Sequence, residues 1–146
     1  MSPGSAVPDR PGAVIAALQQ ATHAILHDLA GRLADLGLTG SEQNVLAAMA
    51  DGQVRTVGEL AEATGTKPST LTSVLDRLER KRQLGRDVDY SDRRLVLIRL
   101  TQPGRDTAAA VLAAVTALEE SALAGLTRQQ LAGFFAVTSA LTGALR

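Results

Sequence analysis

Cysteine and tryptophan are absent from this 146-residue chain, and aromatic side chains make up only 2% of it. Without thiols there is no disulfide framework, no thiolate metal site and no thiol redox sensor. Without rings, the core must be built from Ala, Leu and Val, which dominate an apolar content of 45%. That mixture favours helices, because Ala and Leu are the strongest apolar helix formers. No apolar run reaches the length of a membrane span, and no basic segment leads into an apolar one at the N-terminus. A soluble, cytoplasmic protein with no membrane partner is therefore expected. A glycine-rich phosphate loop after a strand is also missing, as is a nucleophile with a base partner. Acid pairs such as Glu119-Glu120 fit a solvated helix face. No enzyme activity, catalytic residue or cofactor is expected.

Net charge is lacking too, at +0, but its distribution is uneven. Between Gln53 and Thr101 stand ten basic residues against seven acidic ones, an excess of three that the two flanks cancel. A basic middle between acidic flanks is the asymmetry of a nucleic-acid reader whose ends serve another purpose.

What the chain does have is helical periodicity with start signals. A tail over residues 1–11 is rich in proline and expected to be mobile. From Gly12 to about Leu36, apolar residues recur at spacings of three and four, which predicts one long amphipathic helix. Thr39 with Glu42, Thr56 with Glu59 and Thr127 with Gln130 are capping boxes, and Thr101 before Pro103-Gly104 is a further helix start. These signals predict helices over 41–50, 57–64, 68–81, 102–123 and from 128 onward. Between the third and fourth of these, 84–89 and 94–100 alternate as strands around a polar turn at Tyr90-Ser91-Asp92. The fold class is mainly α with a small β-hairpin (α+β).

Thr56 to Lys81 reads as two short helices joined by Thr64-Gly65-Thr66-Lys67, with Gly65 permitting a sharp turn. Leu71, Val74, Leu75 and Leu78 form the buried stripe of the second helix. Its opposite face carries Ser69, Thr70, Thr72, Ser73, Asp76 and Arg77. Short hydroxyls at a helix start, followed by arginine, suit a helix entering the major groove by its N-terminus, with Lys67 adding charge there. Arg93 and Arg94 lie at the hairpin tip beside Asp92, where a core has no use for them but a minor groove attracts arginine.

In order and spacing, these pieces resemble the MarR family of winged helix-turn-helix transcription regulators. The matching segments are Leu38-Thr39, Val45-Leu46, Thr56-Val57-Gly58-Glu59-Leu60-Ala61 and Pro68-Ser69-Thr70-Leu71-Thr72. They continue through Leu75-Asp76-Arg77-Leu78-Glu79-Arg80-Lys81, Asp92-Arg93-Arg94, Leu100-Thr101 and Gly104. The resemblance implies a homodimer held by the first helix and the last two, a recognition helix over 68–81 and a wing over 84–100. Its implied partner is double-stranded DNA carrying a pseudo-palindromic operator. Most such proteins are repressors, and a small-molecule effector that changes the distance between the two recognition helices is a further implied partner. By position, Ser69, Thr70, Thr72, Ser73 and Arg77 would face the major groove, and Arg94 would enter the minor groove. Asp92 would orient Arg94 or pair with another arginine to hold the wing turn, and Arg86 is the next charge candidate. The chain divides accordingly into a tail (1–11), an N-terminal dimerisation helix (12–37), a DNA-binding lobe (38–101) and C-terminal dimerisation helices (102–146).

Three positions depart from the family pattern. Arg82 stands where glycine is usual and Gln83 where an apolar residue is usual, so that either the recognition helix runs on or the turn moves to Gly85. Gln43 replaces an aromatic residue near the family's ligand pocket. His23 and His27 lie four apart on the first helix, but no third or fourth metal ligand is evident, so they are read as interface or surface histidines and no metal is expected. The apolar last two helices, including Leu112, Phe134, Phe135 and Val137, have little to pack against except a partner subunit. The alternative function is a protein-interaction module of the same fold that has lost DNA binding.

Overall fold

The computed structural model describes residues 6–145, so residues 1–5 of the expected tail lie outside it, while 6–11 are exposed and form no helix or strand. Two compact units divide the chain, one up to Ala114 and one from Val115.

The first unit opens with α1 (Ala13–Arg32). The single helix expected to reach Leu36 stops four residues short and is followed by a 3-10 turn at Ala34–Leu36. Leu33 leaves helical geometry and is buried at 6% exposure, and the turn closes on Gly37 in the left-handed region at φ 60°. Next come α2 (Gly40–Ala48), β1 (Arg55–Thr56), α3 (Val57–Thr64), α4 (Pro68–Arg80), β2 (Leu84–Val88), β3 (Val96–Leu100) and α5 (Gln102–Leu123). The second unit takes up the end of α5 and contains α6 (Arg128–Ala144).

All three capping boxes form as the sequence predicts. Thr39, Thr56 and Thr127 each accept a hydrogen bond from the amide three residues on, and the Glu or Gln there accepts from the threonine amide. These local bonds set where α2, α3 and α6 begin. The strands form an antiparallel sheet in the order β1-β3-β2, with Leu84 opposite Leu100, Arg86 opposite Ile98 and Arg55 opposite Ile98 from the other side. Among the described residues β1 is the one strand the sequence does not announce, since two residues are too few to show alternation.

The core joins α2, α3 and α4 to the sheet. Leu46, Met49, Leu60, Leu71, Leu75, Leu78 and Ile98 are all fully buried, and Ala108 of α5 packs on the same cluster. The predicted stripe of α4 is thus the face that seats this helix, which leaves its hydroxyl-bearing face to solvent.

The end of α4 corrects the sequence expectation at Arg82. The helix neither runs on nor turns at Gly85. Arg82 itself adopts φ 58°, and Gly85 sits within β2 opposite Arg99. The Gln83 amide donates to Leu78 O at 2.9 Å and the Arg82 amide to Glu79 O at 2.9 Å, a left-handed helix stop of the kind glycine usually makes. The start of α5 grips this turn. Thr101 donates its hydroxyl to Arg82 O (2.7 Å) and its amide to Gln83 O (3.1 Å), and its hydroxyl accepts from the Gly104 amide (3.0 Å). The space is so close that a Cβ on Gly104 would lie 1.7 Å from Gln83 O.

Candidate nucleic-acid interface

The helix-turn-helix is formed by α3 and α4. α3 stops at Gly65, whose φ of 65° lets the Thr66 amide turn back to Ala61 O at 3.2 Å. Pro68 occupies the first helical position of α4, behind an extended Lys67 that makes no side-chain cap. The first amides of α4 are therefore left without a capping side chain, and this end of the helix carries the positive end of the helix dipole. Lys67, Ser69, Thr70, Thr72 and Ser73 are all exposed around it. Thr72 donates its hydroxyl to Pro68 O at 2.9 Å, so its proton is already used. Among the described residues the side chains of Lys67, Ser69, Thr70 and Ser73 have no hydrogen-bond partner.

Arg77 is placed differently from its neighbours. Its Nε donates to Glu42 Oε1 at 3.0 Å, and Lys81 Nζ donates to Glu42 Oε2 at 2.7 Å and to Gly37 O at 3.0 Å. Glu42 is completely buried. Burial pushes its carboxyl up, but hydrogen bonds from Lys81, Arg77 and the Thr39 amide, with the charge of Lys81, outweigh this and hold it below its ordinary value of 4.5. In the sequence, Glu42 is visible only as a capping-box residue, and no local signal links it to partners 35 and 39 residues away. Next to it, Gln43 is also buried and donates its amide to Leu38 O at 3.4 Å.

The wing is the β2–β3 hairpin. Its base is tied to α4 by Arg86, whose Nη2 lies 2.7 Å from Asp76 Oδ1 and whose Nε lies 3.5 Å from Glu79 Oε2. Across the strands, Arg99 Nε meets Asp87 Oδ2 at 3.0 Å. The loop between the strands is ordered by two carboxylates. Asp89 Oδ1 accepts from the Ser91 amide (2.8 Å) and hydroxyl (2.6 Å), and these bonds hold its carboxyl below its ordinary value. Asp92 Oδ1 accepts from the Arg94 amide at 3.1 Å and from Arg94 Nε at 3.3 Å. The Arg94 side chain is nonetheless 90% exposed, so Asp92 steadies its base while its tip stands in solvent. Arg93 is exposed and meets no carboxylate among the described residues.

Of the site residues expected from the sequence, Lys67, Ser69, Thr70, Thr72 and Ser73 thus gather at one helix end, and Asp92, Arg93 and Arg94 at the wing loop. Arg77 and Arg86 are held in ion pairs between elements. His23 and His27 are exposed on α1, and among the described residues no group of three or more His, Cys, Asp or Glu side chains is placed to hold a metal ion. No single described helix is long and apolar enough to cross a membrane.

Comparison with known proteins gives the same architecture. The chain superposes on Staphylococcus aureus MepR in its DNA-binding conformation with a TM-score of 0.82, at 21% identity, covering 91% of this chain and 98% of that one. It superposes on the PcaV regulator of Streptomyces coelicolor, solved with its natural ligand, with a TM-score of 0.74 at 26% identity, covering 98% and 100% of the two chains. In sequence it is 32% identical over 108 residues to the HTH-type transcriptional repressor MdtR of Bacillus subtilis (strain 168), covering 74% of this chain and 70% of that protein. The family model for MarR proteins matches residues 36–95, which span α2 through the wing loop. With that match, and with a relative of this identity and coverage, the chain belongs to the MarR family.

Proposed function

We propose that this protein is a sequence-specific, double-stranded DNA-binding transcription regulator that acts as a homodimer on a pseudo-palindromic operator. The observation that carries the reading is the pairing of two surfaces on one compact unit. One is the uncapped, hydroxyl-ringed N-terminus of α4, and the other is Arg94 projecting from a wing loop ordered by Asp92 and Asp89. The first fits major-groove phosphates and base edges, and the second fits the negative potential of a narrow minor groove. Lys67, Ser69, Thr70, Thr72 and Ser73 serve the first contact, together with the free nitrogens of Arg77. Arg93 and Arg94 serve the second, with Asp92 and Arg86 holding the wing in place.

The relatives support this role. MdtR is a transcriptional repressor, and MepR has been solved in complex with DNA. Repression is accordingly the sign proposed, and the role is regulatory rather than catalytic, exercised in the cytoplasm. Large apolar side chains remain exposed on α1 (Val14, Ile15, Ile25, Leu26) and on α6 (Phe134, Phe135, Val137), as helices that meet a partner subunit require. A pocket of about 270 Å³ bounded by Leu36, Gly37, Leu38, Lys81, Gln83 and Thr107 offers a place for a small-molecule effector beside the end of α4.

Fluorescence anisotropy on the duplex upstream of the protein's own gene, against a scrambled duplex, tests the reading. The native duplex should bind more tightly, and binding should weaken steeply with salt. Arg94→Ala should cost about 1–3 kcal/mol of binding, with an unchanged thermal transition. Equal binding of wild type and R94A to the native duplex would remove the wing from the interface.

A further inference from the structure

A carboxylate with no exposure is costly unless every lone pair is used, and breaking such a site is costly too. Glu42 comes close to that demand, with three of its roughly four acceptor sites filled. Oε1 accepts from Arg77 Nε, and Oε2 accepts from Lys81 Nζ and, at 3.3 Å, from the Thr39 amide. The carboxylate is therefore fixed from its own helix by the capping bond and from α4 by two cations. Lys81 is itself anchored a second time, on Gly37 O. The α2 cap requires only the Thr39 bonds, so the cap does not explain why two recognition-helix cations converge on the same group.

The consequence falls on Arg77. An arginine on a helix surface ordinarily samples many rotamers, and its five donors can meet a phosphate from many directions. Here Nε is committed at 3.0 Å, which narrows the rotamers open to the side chain and leaves Nη1 and Nη2 without a hydrogen-bond partner among the described residues. A side chain 38% exposed, tethered at Nε with its two terminal nitrogens free, presents a fork whose directions are restricted. Two parallel donors of this kind match the O6 and N7 acceptors that guanine alone presents in the major groove. A point charge such as lysine has no such geometry.

We infer that Glu42 is the positioning residue that aims Arg77, so that Arg77 reads a guanine in each half-site rather than neutralising a phosphate. This rests on the reading of α4 as the recognition helix and adds to it a base identity and the residue that enforces it. Glu42 itself does not touch the DNA. Its removal leaves Arg77 able to reach the duplex but without a preferred direction.

The test is selection from a pool of duplexes with randomised sequence, sequencing bound and free fractions for wild type, E42Q, R77A and the double variant. In wild type one position of each half-site favours guanine, and R77A abolishes that preference. E42Q should weaken the same preference about fivefold or more, leave the other positions unchanged and keep or raise the affinity for the pool as a whole, since a negative charge is lost. E42Q should have no further effect in the R77A background. Uniform weakening by E42Q with all base preferences intact overturns the inference and leaves Glu42 a purely structural residue. An R77A profile identical to wild type removes Arg77 from the interface altogether, a different failure from the first. A second measurement needs no variant. In wild type the Arg77 Nε proton should exchange slowly with water by NMR, and fast exchange overturns the proposed aim.

Discussion

Replacing Gly104 with alanine should unfold this protein more readily, although the same change in an ordinary helix strengthens it. Gly104 is the third residue of α5 and is buried. Ala over Gly in a helix is worth roughly 0.5–1 kcal/mol through propensity and a less disordered unfolded chain. Against that gain, the added Cβ would stand 1.7 Å from Gln83 O, 2.8 Å from its carbonyl carbon and 3.2 Å from Thr101 Oγ1. The nearest atoms are backbone, so no side chain can swing away. Either α5 or the Arg82-Gln83 turn must move by more than an ångström. The movement breaks the Thr101 amide bond to Gln83 O and strains the two bonds of the Thr101 hydroxyl. Three bonds at about 1 kcal/mol each, partly lost, and an overpacking cost of about 1–3 kcal/mol outweigh the helix gain, for a net loss of roughly 2–4 kcal/mol. For a chain of this size that is a fall in Tm of about 5–15 °C. Urea titration followed by far-UV circular dichroism, at one protein concentration for all variants, reads the difference. Gly58→Ala in α3 is the control, because its new Cβ would meet nothing nearer than Thr56 Oγ1 at 3.9 Å, and it should be neutral or stabilising. A G104A protein as stable as wild type would refute the close approach of α5 to the end of α4.

Arg82→Gly should stabilise the fold by about 0.5–1 kcal/mol, since it relieves a left-handed arginine at φ 58° but loosens the unfolded chain, and thermal melts should show it. The Glu42 carboxyl is held below its ordinary 4.5, so its stabilising contribution is complete above that pH and is lost as pH falls through the lowered value. The gap in urea midpoint between wild type and E42Q should therefore be constant at neutral pH and close under acid, and a gap that widens under acid would reverse the sign. The salt dependence of DNA binding should have a log–log slope of about −7 to −9 per dimer, from four or five phosphate contacts per protomer. A slope near −18 would mean that the ion pairs of the lobe open on binding.

What the sequence discloses and what it hides follow one physical division. Capping boxes and the α4 stripe are legible because each rests on partners three or four residues apart, whereas the Asp92–Arg94 contact is one of two alternatives that only the family resemblance implies. The same proximity fixes the start of α4 through Pro68 and the end of α3 through Gly65. The features that escape reading depend on distant partners. β1 exists because β3 offers it an edge at Leu97 and Ile98. Glu42 carries a capping signature and nothing that announces Arg77 or Lys81. Arg82 is the clearest case, because sequence logic places the left-handed residue at a glycine and Gly85 is near. The grip of Thr101 on the Arg82 and Gln83 carbonyls settles the turn instead, and Gly85 is drawn into the strand.

The excess of three positive charges between Gln53 and Thr101 understates how this lobe is organised. Six of the ten cations are paired, and the pairs are placed where elements must be aligned. Arg77 and Lys81 join α4 to α2, Arg86 joins β2 to α4, Arg99 joins β3 to β2, Arg55 meets Asp51 ahead of β1, and Arg94 meets Asp92 within the loop. Asp51 is correspondingly held well below the usual carboxylate range by its Arg55 hydrogen bonds. Unlike the two on buried Glu42, the exposed pairs among these contribute little to stability. Their geometric effect is larger, since α4 supplies Arg77 and Lys81 to one neighbour and Asp76 and Glu79 to another. A displacement of α4 therefore has to carry the base of the wing with it or break Arg86 from both acids. On the proposed reading, the acids that offset the positive charge tie the base of the wing to α4, leaving Lys67, Arg80, Arg82 and Arg93 as the cations not paired with a carboxylate among the described residues.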